Sequence, residues 1–172
     1  MPTINDELLH GQLQHHWAGA SAGVHFFERV AGTHGDPRVA EEIGRLAAEV
    51  REDRESLRNI MLSVGANPSM VATVGARAGE LVARLKPNGR IVRRSPLTDV
   101  LELEALRTAV NGKQSGWELL RAVADHDGRL DPKHLDELLR RGKSQLSRLA
   151  ELHLGVALDL IVGDGSSTRT EM

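Results

Sequence analysis

Gly32-Thr33-His34-Gly35-Asp36-Pro37 is the stretch whose reading decides the fold. Two glycines stop the segment before them, and Asp-Pro starts a helix behind them. Aspartate at an N-cap accepts hydrogen bonds from free backbone N–H groups. Proline at the next position has no N–H to leave unpaired, and its φ is preset for the helix. A break this short makes the two flanking helices antiparallel neighbours. The same punctuation recurs at Asn67-Pro68, Ser95-Pro96 and Asp131-Pro132, so four of the six prolines mark helix starts.

The segments between these marks carry helical stripes. From about Asn5 to Ala31, Leu9, Leu13, Trp17, Ala20, Val24 and Phe27 recur every three or four residues, which is one helical face. Pro37 to about Val64 repeats the pattern through Ile43, Leu46, Val50, Leu57 and Met61, with Gly65 as a C′ glycine. A shorter segment, Ser69 to Lys86, carries Val71, Val74, Leu81 and Leu85 and ends at the turn Lys86-Pro87-Asn88-Gly89. Pro96 to Ala124 places Val100, Leu103, Leu106, Val110, Trp117 and Leu120 on one face, and Asp125-His126-Asp127-Gly128 stops it. Pro132 to about Val162 does the same with Leu135, Leu139, Leu146, Leu149, His153 and Val156. Residues 1–163 thus read as a single helical bundle, with 164–172 as a flexible polar tail.

Composition bounds what such a bundle does. At 172 residues the chain fits one domain and buries a sizeable core without staples. There is no cysteine, hence no disulfide, thiolate metal site or cysteine nucleophile. The start of the chain lacks a basic segment followed by an apolar run, and no stretch approaches the ~20 apolar residues of a membrane span. The expected location is the cytoplasm, away from membranes. A formal net charge of −2 argues against general nucleic-acid affinity. Arginine strongly outnumbers lysine, which fits a GC-rich bacterial genome. The arginine-rich stretch Arg77 to Arg94 is open to an anionic surface but lacks the aromatics and motifs of nucleic-acid readers.

Two hairpins, joined by a connection of about 30 residues that carries its own helix, describe a four-helix bundle with one long crossover. With Leu46-Ala47-Ala48-Glu49-Val50-Arg51-Glu52-Asp53-Arg54 and the helix exit Gly65-Ala66-Asn67-Pro68, the chain resembles the ferritin-like superfamily, closest to small bacterial members. That resemblance implies an all-α, ferritin-like four-helix bundle whose crossover between helices two and three carries an extra helix. It also implies two metal ions at mid-bundle. Their ligands are a Glu from each of two helices and a Glu-x-x-His from each of the others.

This sequence departs from that pattern. Its only Glu-x-x-His is Glu7 to His10, at the tip of the first helix. Measured from the first turn, His16, Glu49, Glu52 and Asp53 fall at mid-height and make half a site. The level positions on the other hairpin are Asn111, Lys113, Gln114, Lys143, Gln145 and Arg148. Lysine and arginine there oppose cation binding. Asp53, on the apolar stripe between Val50 and Leu57, is expected to be a buried carboxylate paired with Lys113 or Arg107. His16 is expected to find a partner on the other hairpin. Glu104 and His153 face one another, either as a hydrogen-bonded pair or as half of a mononuclear metal site. His15 and His16 diverge by about 100° on a helix and cannot chelate together easily.

The expectation is therefore a non-catalytic ferritin-like bundle without a working di-metal centre and without cofactor. It acts as an interaction or structural module, stress-related if the resemblance carries that far, and forms a homodimer. The competing expectation is a metal-binding ferritin-like oxidase or storage protein that uses His16, Glu49, Glu52 and Asp53 to hold iron or manganese.

Overall fold

The computed structural model describes residues 3–69 and 95–163. Among these stand four helices and no strand: α1 (Asp6–Thr33), α2 (Pro37–Ser63), α3 (Pro96–Ala124) and α4 (Pro132–Ile161). Each is about 40 Å long at 1.5 Å per residue. None is long and apolar enough to cross a membrane. The helix expected to follow Pro68, the Arg77 to Arg94 stretch and the 164–172 tail lie outside the described residues.

The starts follow the capping chemistry. Asp36 accepts from the Arg38 N–H at 2.8 Å, and Asp131 from the Lys133 and His134 N–H groups. Asn5 caps α1 through the Leu8 N–H. Ser95 marks the start of α3 without a side-chain cap bond. The end of α2 is a Schellman motif: Ala66 N–H donates to Met61 C=O at 2.8 Å and Gly65 N–H to Leu62 C=O at 3.1 Å. Gly65 has φ +81°, a conformation that only glycine adopts at little cost.

Cross-helix contacts set the directions. Arg29 on α1 pairs with Glu102 on α3, and His16 lies against Gly116, so α1 and α3 are antiparallel. Glu42 pairs with Arg148 and Glu52 with Arg141, so α2 and α4 are antiparallel. α2 ends beside the α3–α4 turn, where Arg129 reaches both Val64 C=O and Asp6. α3 starts beside the α1–α2 turn, where the Gly35 N–H donates to Asp99. α2 and α3 therefore run in the same direction. After Gly65 the chain doubles back beside α1: the Gln14 amide donates to Asn67 C=O and accepts from the Ser69 N–H.

Two apolar cores fill the bundle. One, at the α3–α4 turn end, gathers Leu13, Trp17, Met61, Trp117, Leu120 and Leu135. The other, at the α1–α2 turn end, gathers Phe27, Ile43, Leu46, Leu103, Leu106 and Leu149. Both tryptophans are core residues, as their stripe positions require. Asp53 and Gln145 are buried at the level between these cores.

A buried ionic layer at mid-bundle

Asp53 is 1% exposed on α2 and faces three side chains from the other hairpin. The Lys113 ammonium donates to its Oδ2 and to Gln145 Oε1. Gln145 Nε2 donates to the same Oδ2 at 3.1 Å and to Glu49 Oε2 at 3.2 Å. Arg141 Nη2 stands 2.6 Å from Asp53 Oδ1, a charge contact rather than an aligned hydrogen bond. Its Nη1 reaches the exposed Glu52 at 3.0 Å. One turn back along α2 from Asp53, Glu49 accepts from Arg148 at 2.5 Å, and Arg148 also donates to Glu42 at 2.7 Å. The amide of Gln145 is thus used at both ends, and each nearby carboxylate has a cation.

Burial moves the protons. Desolvation pulls the Lys113 ammonium below its ordinary range, and the attraction of Asp53 offsets this only in part. Burial alone would raise the Glu42 carboxyl, but bonds from Arg148 and Arg45 hold it below its usual value. His16 is also pushed down, first by desolvation and then by the neighbouring His15.

Expectation and geometry agree on the Asp53–Lys113 pair. The Arg107 alternative fails, because Arg107 donates to His153 Nδ1 at 3.0 Å instead. That bond leaves the His153 proton on Nε2, which donates to Glu104 at 3.1 Å. Glu104 and His153 do face each other, with both ring nitrogens engaged. His16 departs from expectation. Its Nε2 accepts from Gln12 on its own helix at 3.0 Å, not from the other hairpin. The ring is pressed against α3, where a Cβ on Gly116 would stand 2.8 Å from it. His16, Asp53 and Lys113 still border one cavity of about 30 Å³ with Arg54, Leu57 and Trp117, enough for a water-sized guest.

Of the four half-site residues, Glu49, Glu52 and Asp53 are joined through Gln145 and Arg141, while His16 stands apart. Among the described residues no group of three or more His, Asp or Glu is arranged to hold one metal ion. Sequence reasoning missed Arg141, and a signal for it existed. Glu42, Glu49 and Asp53 form a stripe on α2 at helical spacing, and Arg141, Gln145 and Arg148 form the complementary stripe on α4. It also missed Glu102, 1% exposed and paired with Arg29 at 2.9 Å.

Comparison with models of known families, with curated proteins and with solved structures finds no match for this chain.

Proposed function

We propose that the chain is a cytoplasmic ferritin-like bundle in which an ionic layer stands where the superfamily holds its di-metal centre. In this reading it acts as a non-catalytic structural or interaction module. The observation that carries it is the Lys113 ammonium lodged between Asp53 and Gln145. A fixed cation there neutralises the carboxylate that a metal would need and repels a second cation at close range. Arg141 and Arg148 do the same for Glu52 and Glu49. Support for the ferritin-like connection comes from the helix directions: α2 ends and α3 starts at opposite ends of the bundle, as one long crossover requires.

The test is thermal unfolding with and without Fe²⁺ or Mn²⁺. A metal that does not bind the native state leaves the melting temperature unchanged, and this is the expected outcome. A clear rise, abolished in Asp53→Ala, would overturn the reading and favour the oxidase or storage protein built on His16, Glu49, Glu52 and Asp53.

A further inference from the structure

The cavity of about 30 Å³ beside the ionic layer lies where α1, α2 and α3 meet. Its wall is apolar except at His16, Asp53, Arg54, Lys113 and Trp117. Four of these five bring N–H groups that the described residues leave unused. Trp117 is 3% exposed, and its indole N–H is buried without an acceptor. The Lys113 ammonium has three N–H groups and gives two of them, to Asp53 and Gln145. His16 takes the Gln12 amide on Nε2, so its own proton sits on Nδ1 as a further donor. Arg54 spends its Nε–H on Ser21 at 3.1 Å and lays its guanidinium over the Trp17 ring at 4.4 Å. The carboxylate nearest to it is the exposed Glu55, at 3.6 Å.

Acceptors are scarce by comparison. Asp53 is the one carboxylate at the wall, and both its oxygens already face donors. Oδ2 takes Lys113 and Gln145, and Oδ1 stands 2.6 Å from Arg141. The wall therefore holds two cations against one carboxylate, with a neutral histidine. One positive charge and several N–H groups are left over in a desolvated place, where each lacks what water would have given it.

We infer that this cavity binds one small monovalent anion of the halide class. Chloride and bromide are little larger than water, and the cavity takes a guest of that size. Such an ion accepts from several N–H groups at once and brings the charge of the wall to zero. A water molecule would have to donate as well as accept, and the wall offers it only oxygens that face cations. Arg54 and Lys113 are both partly exposed, so the ion enters past their side chains. The inference stands on the donors of the wall and goes beyond the proposed function. The metal titration tests that function and a halide titration tests the cavity, so the two can fail separately.

The experiment follows the chloride NMR line width with the full chain at constant ionic strength, with bromide then added as competitor. The wild-type chain should broaden the line, and bromide should remove the excess saturably across the millimolar range. Val50→Leu adds one methylene at a buried position of the wall and fills the space without removing a charge or a donor. It should abolish the saturable part. Trp117→Phe keeps a ring and loses the N–H, and should weaken binding about tenfold, the cost of one hydrogen bond to a charged group. Trp17→Phe is the matched control. Trp17 is also a core tryptophan with an unpartnered N–H, but it does not border the cavity, and its variant should bind as the wild type does. Circular dichroism checks that each variant is folded, and Val50→Leu decides if Trp117→Phe is not. A wild-type chain with no saturable component overturns the inference and leaves the cavity to water. Binding that survives Val50→Leu or Trp117→Phe overturns it too, by placing the ion on surface cations, and so does equal loss in Trp17→Phe.

Discussion

Leu46 and Leu149 in one apolar core are buried as completely as Asp53 and Gln145 in the layer beside it, yet the two regions respond differently to change. Apolar packing is non-directional and degrades in proportion to what is removed. The ionic layer is conditional: each buried charge is tolerable only while its partner is present. The lesson is that equal burial does not mean equal contribution to stability. The layer's value lies in fixing which residues of α2 meet which residues of α3 and α4, since a shift of one helix by a turn would strand Lys113, Asp53 and Arg141 together.

The largest effect should come from breaking the layer at its centre. Asp53→Ala leaves Lys113 and Arg141 facing each other and should cost about 3–5 kcal/mol in chemical denaturation. Leu46→Ala, the matching change in the apolar core, should cost about 2–5 kcal/mol. The comparison sharpens with the triple change Asp53→Leu, Lys113→Met and Gln145→Leu. This merges the two cores and should be neutral or stabilising by about 1–4 kcal/mol, because Arg141 can turn out to Glu52. A triple variant less stable than the wild-type chain would mean that the layer contributes net stability.

A smaller effect is expected at Gly142. A Cβ there would meet Gln114 Oε1 at 2.0 Å, and Gln114 is tied to Leu139 C=O. Gly142→Ala should cost about 1–3 kcal/mol from overpacking, less the ~1 kcal/mol gained in helix propensity. Adding Gln114→Ala should recover much of the loss. If Gly142→Ala alone is stabilising, the close approach of α3 and α4 is less tight than described.

His16 gives the layer's edge a pH dependence. Its folded pKa lies below the ordinary 6.5, so the unfolded chain takes up a proton that the native chain refuses. The stability this contributes is complete above about pH 6.5 and is lost as the pH falls through that region. Melting curves from neutral to mildly acidic pH should show the slope, and His16→Gln should flatten it. The smallest effect is expected from Glu52→Gln, whose side chain is 69% exposed. An exposed pair of this kind is worth about 0–1 kcal/mol.

Much of this was legible beforehand. The helix starts at Pro37, Pro96 and Pro132 and the glycine exit at Gly65 are local matters of φ, missing N–H groups and cap oxygens, and they fall where the residues place them. The stripe leucines of α1, α2 and α3 and both tryptophans are buried because 3.6-residue periodicity fixes which face looks inward. On α4 the buried leucines are Leu135, Leu138 and Leu149, while Leu139 and Leu146 of the expected stripe are only partly covered, because the helix is rotated slightly from that stripe. An aspartate on such a stripe had to find a cation, and it did.

What tertiary structure alone decided is which partner each polar residue takes. Several cations lay at similar heights, and the rotation of each helix about its axis chose among them. It gave Lys113 and Arg141 to Asp53 and turned Arg107 to His153. It also pressed His16 against Gly116, so that Gln12 on its own helix became its partner. Periodicity names a face to within a few tens of degrees, whereas a hydrogen bond requires its atoms to meet within a few tenths of an ångström. Only the packed bundle supplies that precision.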